Sequence, residues 1–152
     1  GLRAHELLTL RPVAERAADP RPALDSKWKG RSGEIYTVQG KGGLTREVMI
    51  PHELAARLEE RRLAAPQVVT DRVVFYQSSY DIGGGQRWSN SVSAASERTM
   101  GRSTGAHGLR HSYAQERMTE LQNRGLSRDA ALETVSQEMG HFRPEITETY
   151  LR

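Results

Sequence analysis

Between residues 34 and 50 the chain reads EIYTVQ, GKGG, LTREVMI, and this glycine cluster set between two apolar runs constrains the fold more than any other feature. Ile35, Tyr36 and Val38 precede the turn and Val48, Met49 and Ile50 follow it, so a β-hairpin with Lys41 at its tip is predicted. Helical signals surround it. LRAHELLTL sets Leu7, Leu8 and Leu10 against Arg3 and Glu6, a short amphipathic helix stopped by Pro12, and Pro51 suits the first turn of a helix HELAARLEERRL. Between them ADPRPALDSKWKGR, with two prolines and a glycine, reads as an irregular excursion. VVTDRVVFY fits a strand or a buried helical turn equally well, and SSYDIGGGQRWSN reads as a polar loop before a helix SVSAASERTM. Leu109, Tyr113, Met118 and Leu121 recur at helical intervals from His107 to Arg124, where Gly125 stops them. Ser127 with Asp129 starts a further helix that Gly140 ends, and a last turn or two begins at Pro144. No internal repeat or low-complexity tract is evident.

The 152 residues make one ordinary domain by length. Leu, Ile, Val and Phe together number 29, about 19% of the chain, a lean core that suits a piece of a larger protein. The formal charge of +3 is too small to keep such a chain disordered, and it permits an anionic partner. Without cysteine, disulfide scaffolds, thiolate metal sites and cysteine nucleophiles are excluded. No apolar run approaches bilayer length and no secretory leader is seen, so a soluble cytoplasmic chain without a membrane partner is expected. Of the 22 basic residues only Lys27, Lys29 and Lys41 are lysine, and the arginine excess suits bidentate phosphate contacts.

Several residues carry possible chemistry, each with an ordinary explanation beside it. Tyr150, nine residues after His141, would by itself be a tyrosine closing a terminal helix over the core. His107 and Arg110 stand three apart in HGLR and would share a helix face, for which solvated surface is the default. Arg3 and Glu6 would form a helix-surface ion pair, and Lys41 a solvated turn lysine. His107 and His111 have the i, i+4 spacing of a zinc helix, but Gly108 stands where HExxH needs Glu, so no metal is expected. IGGGQ lacks the lysine of a nucleotide-binding P-loop, and Glu59, Glu60, Arg61 and Arg62 read as a solvated helix face.

Taken in order, Arg3 with Glu6 in GLRAHEL, Lys41 in GKGGLTREVMIP, His107 and Arg110 in HGLRHSYA, and His141 and Tyr150 in MGHFRPEITETYL resemble the tyrosine recombinase (integrase) family. The likeness spans nearly the whole chain, although the intervals from Arg3 to Lys41 and from Arg110 to His141 look long for the family. The resemblance implies an α+β catalytic domain, mainly helical, with a small antiparallel sheet. It implies site-specific cutting and rejoining of double-stranded DNA through a covalent 3′-phosphotyrosine, with no metal or other cofactor. Tyr150 would be the nucleophile, Arg3 and Arg110 the clamp on the nonbridging oxygens, and Lys41 the acid for the 5′ oxygen. His107 and His141 would share the proton-handling and phosphate-bonding duties, with Glu6 in support.

The same likeness implies a tetrameric assembly of protomers on DNA, nucleoid association when bound, and a fragment lacking an N-terminal clamping domain, the first catalytic-domain helices and a C-terminal tail. Weak DNA affinity and poor or absent recombination by this polypeptide are therefore expected, even with every chemical group in place. If Arg3 and Arg110 are exposed clamps, replacing either with alanine would barely change stability. A type IB topoisomerase-like strand transferase and an inactive DNA-binding remnant are the competing readings.

Overall fold

The computed structural model describes residues 1–152, which fold into two compact units. About 41% of the chain is helical and there are two small antiparallel sheets, an α+β composition. The strands are β1 (Arg11–Pro12), β2 (Glu34–Gln39), β3 (Thr45–Ile50), β4 (Arg62–Asp71) and β5 (Val74–Tyr80). The helices are α1 (His52–Glu59), α2 (Gly85–Met100), α3 (Gly108–Asn123), α4 (Arg128–Met139) and α5 (Pro144–Glu148). No helix is long and apolar enough to cross a membrane.

One unit comprises Leu2–Asp19 and Ser32–His107. The LRAHELLTL segment is a 3-10 helix over Ala4–Thr9 that runs into β1, so Pro12 sits in an edge strand, where its missing N–H costs no ladder bond. β2 and β3 form the predicted hairpin in register Tyr36 to Val48 and Val38 to Arg46. Its turn is closed by the Gly43 N–H on the Gly40 carbonyl at 3.1 Å, and Gly42 takes the positive φ of 87° that such a turn demands at its third position. Leu10, Tyr36, Val38, Val48, Ala55, Leu58 and Tyr80 form the core.

VVTDRVVFY is a second hairpin, β4 and β5, joined by Arg72 and Val73 with φ of 48° and 61°. Its two-residue loop has both central residues left-handed, a geometry that ordinarily calls for Asn-Gly. This sheet also shortens the helix expected over HELAARLEERRL. The Arg61 carbonyl accepts from the Asp81 N–H at 2.8 Å and Arg62 pairs with Tyr80, so the backbone groups needed for another helical turn are taken. EERR is exposed at all four residues, as expected of a solvated face, but it runs from the end of α1 into β4 instead of continuing a helix. Glu59 accepts from the Tyr36 and Tyr80 hydroxyls at 2.6 and 2.7 Å, and Arg62 pairs with Glu15. Helix α2 begins inside the glycine run, earlier than the polar-loop reading, because Asp71 caps the Gln86 N–H at 2.8 Å from outside the helix.

The other unit comprises Gly1, Pro20–Arg31 and Gly108–Arg152. Ala114, Met118, Leu121, Ala131, Leu132, Val135, Met139 and Tyr150 make its core. The Ser127 hydroxyl caps α4 on the Ala130 N–H at 3.2 Å, as its position before the helix predicts. The irregular 20–31 segment is tied down by polar bonds: the Glu138 carboxylate accepts from the Trp28 N–H at 2.9 Å, from Arg117 at 2.9 Å and from the Tyr113 hydroxyl at 2.7 Å. Burial and the adjacent Glu138 carboxylate push the Tyr113 phenol far above its ordinary range.

Candidate active site

Tyr150, His141 and Arg110 meet in the second of these units, and local structure accounts for each position. Gly140 ends α4 in the left-handed region at φ 74°, donating to the Gln137 carbonyl while the His141 N–H donates to Ser136. This paired closure is the Schellman arrangement, and it explains why Gly precedes His in MGHF: a residue with a Cβ would resist the turn that aims His141 back over the core. Arg143, extended, then admits Pro144 as the first residue of α5, and the Tyr150 N–H continues the turn onto the Thr147 carbonyl at 2.9 Å.

Arg110, on the inner face of α3, is 1% exposed. Its Nη2 donates to His141 Nε2 at 2.9 Å and to the Met139 carbonyl at 3.3 Å, and its Nη1 donates to the Gly1 carbonyl. The Met139 contact places a cation at the carbonyl end of α4, where the helix dipole favours it. A guanidinium only donates, so His141 Nε2 accepts, and the proton of the neutral ring lies on Nδ1, which donates to Thr147 Oγ1 at 2.9 Å. With this bond in place Nε2 is an acceptor and not a donor. It becomes one only on taking a second proton.

Tyr150 is 8% exposed and belongs to the apolar core, and it has polar neighbours as well. His141 lies 4.9 Å from it and His111 4.8 Å, centroid to centroid, and the Arg110 guanidinium carbon is 5.4 Å from the ring centre. The Tyr150 ring therefore packs beside two imidazoles and a guanidinium as well as against the apolar core. In the sequence His111 stands out only through its zinc-like spacing from His107. Its position next to Arg110 was a usable signal, whereas nothing marked Thr147.

The remaining predicted residues lie in the unit built from Leu2–Asp19 and Ser32–His107. The Glu6 carboxylate turns back to the Arg3 N–H at 2.7 Å and holds Arg3 Nη1 at 3.4 Å. It is no surface ion pair: Glu6 is fully buried and receives Arg46 from β3 at 2.8 and 3.2 Å. Burial alone would raise the Glu6 carboxyl, but Arg46, aided by Arg3, outweighs it and holds the group below the usual carboxylate range. Arg46 has no sequence signal, since an arginine in a strand ordinarily faces water. Lys41 is exposed at its hairpin tip, and Gly40 beside it lies so close to Glu6 Oε1 that an added Cβ would stand 3.4 Å away. His107 does not share a helix face with Arg110. The turn at Gly105, with φ 69°, puts His107 before the first residue of α3, where it is exposed while Arg110 is buried. Comparison with protein-family models, with curated proteins and with solved structures gives no match for this chain.

Proposed function

We propose that the chain is the catalytic part of a DNA strand transferase of the tyrosine recombinase type, working on double-stranded DNA in an assembly of several protomers. The observation that carries the reading is the meeting of Arg110 from α3, His141 from the turn after α4 and Tyr150 from the turn after α5. In the proposed reaction the Tyr150 oxygen attacks phosphorus and the bond from phosphorus to the 5′ oxygen breaks. The Lys41 ammonium protonates that leaving oxygen, and the phenolic proton passes to an imidazole, His107 or His141. Arg3 and Arg110 neutralise the nonbridging oxygens as charge builds there. A phosphate that draws the Arg110 fork toward itself also releases His141 Nε2, giving that ring a lone pair for the proton. Because the phosphotyrosyl ester preserves the phosphate bond, the 5′ hydroxyl of another strand reverses the step without an external energy source.

A second reading, a DNA-binding module without strand transfer, is favoured by the burial of Arg110 and by the place of the Tyr150 ring in the core. A duplex nicked near the cleavage point, which loses its short leaving strand, separates the two. Strand transfer predicts a protein–DNA adduct that is absent in Tyr150→Phe. A Lys41→Ala defect is then rescued by a substrate with sulfur as the 5′ bridging atom, a leaving group that needs no proton. Salt-sensitive binding with no adduct on either substrate selects the second reading.

A further inference from the structure

A groove of about 750 Å³ opens between the two hairpin tips of the unit that carries Lys41. Lys41 lines it from the β2–β3 turn, Arg72, Phe75 and Tyr76 from the second hairpin, His5 from the 3-10 helix and Gln86 from the start of α2. The strand-transfer chemistry uses only the first of these.

Three features of the second hairpin tip call for a partner. It is apolar and exposed, with Val73 92%, Phe75 74% and Val68 64% accessible. Its loop is strained, because Val73, β-branched, holds a left-handed backbone that asparagine or glycine would adopt freely. It is also pinned. Asp71 Oδ1 accepts from the Gln86 N–H at 2.8 Å, and Gly85 approaches so closely that a Cβ would lie 2.5 Å from the Asp71 carboxyl carbon. Exposed apolar side chains on a rigid, strained loop are the mark of a recognition element rather than of a slack turn.

The charges in the groove select the occupant. Lys41 and Arg72 are the cations, while the one carboxylate, Asp71, has an oxygen committed to the N-terminal turn of α2. An anion bearing a flat apolar face fits cations beside an exposed aromatic ring, and a nucleic-acid strand with an unstacked base is that ligand. Paired duplex hides its base faces. We propose that this groove holds the unpaired 5′ end of the DNA strand released by cleavage, with its phosphates on Lys41 and Arg72 and a base on the Phe75 ring. The proposal rests on the strand-transfer reading, in which Lys41 protonates the 5′ oxygen, so the released strand starts at the lysine that lines the groove.

The test uses the Tyr150→Phe chain, which reads binding without capture, and two fluorescent nicked duplexes of one sequence. One carries a three-nucleotide unpaired 5′ flap at the nick and the other is fully paired. The flap duplex should bind about tenfold tighter, the worth of one stacked base. Phe75→Ala should erase that preference at unchanged salt dependence, and Arg72→Ala should lower the slope of log affinity against log salt by about one. Equal affinity for both duplexes, or a preference that survives Phe75→Ala, overturns the proposal. So does loss of self-association in Phe75→Ala with flap binding intact, which would make the tip a contact between copies of the chain. Adduct formation by the unaltered chain is scored separately: flap preference without any adduct rejects the Tyr150 chemistry and keeps the groove as a site for unpaired DNA, and an adduct without flap preference does the reverse.

Discussion

Arg110 is almost fully buried among carbonyls and an imidazole, whereas the Arg3 side chain is 31% exposed, so the two guanidiniums proposed to grip one phosphate are held very differently. Arg110→Ala strands the Met139 carbonyl and His141 Nε2 and should cost about 2–4 kcal/mol in denaturant unfolding, against under about 1 kcal/mol for Arg3→Ala. Near-equal small losses would mean that Arg110 is not locked in the core. The small effect expected of an exposed clamp therefore applies to Arg3 and not to Arg110, which is buried. Tyr150 divides in the same way: Tyr150→Phe keeps the ring in the core and should stay within about 0.5 kcal/mol of the native stability, while Tyr150→Ala should lose about 3–5 kcal/mol. The His111 ring packs 4.8 Å from the Tyr150 ring and is proposed to position it by that contact, so His111→Phe should preserve the rate of adduct formation and His111→Ala should lower it at unchanged DNA affinity. A fall in affinity instead would assign His111 to the DNA.

The second hairpin stores strain in its loop. Val73→Gly should therefore raise stability by about 1 kcal/mol, read as a higher denaturation midpoint, and a loss would show that Val73 is held there by contacts worth more than its backbone cost. The same loop explains which parts of the fold could be read from the sequence. The first hairpin was legible because Gly42 supplies the positive φ that its turn requires. The second was not, because Arg72 and Val73 adopt left-handed geometry with side chains that give no such signal. Helices α3 and α4 were legible from apolar spacing, a serine cap and a terminal glycine. The end of α1 and the start of α2 were set instead by long-range partners, the β4–β5 pairing and the Asp71 carboxylate, which local pattern does not carry. In the candidate site, glycine-marked positions such as Lys41 and His141 stood out, while Arg46 and Thr147 took their roles from tertiary burial alone.

Each of the two units has its own apolar core and its own buried arginine–carboxylate pair, Arg46 with Glu6 in one and Arg117 with Glu138 in the other. With so few large aliphatic residues, these pairs join elements distant in sequence, and removing one partner should cost about 3–5 kcal/mol by leaving a buried charge. The Glu6 carboxyl is held below its ordinary value of 4.5, so its contribution is complete above about pH 4.5 and is lost as pH falls through the folded value. The unit containing Glu6 should accordingly lose stability below about pH 4.5, and Glu6→Gln, weaker at neutral pH, should show a flatter acid limb in thermal melts. An unchanged acid limb would place the acid sensitivity elsewhere. The central claim is that Arg110, His141 and Tyr150 act on one phosphate. Its most direct test is the position of the adduct left on a nicked duplex, read by mass spectrometry of the digested protein, since the chain has five tyrosines. A DNA remnant on Tyr150 alone, lost in Arg110→Ala, is the predicted result; an adduct on Tyr36, Tyr76, Tyr80 or Tyr113, or none at saturating DNA, would contradict it.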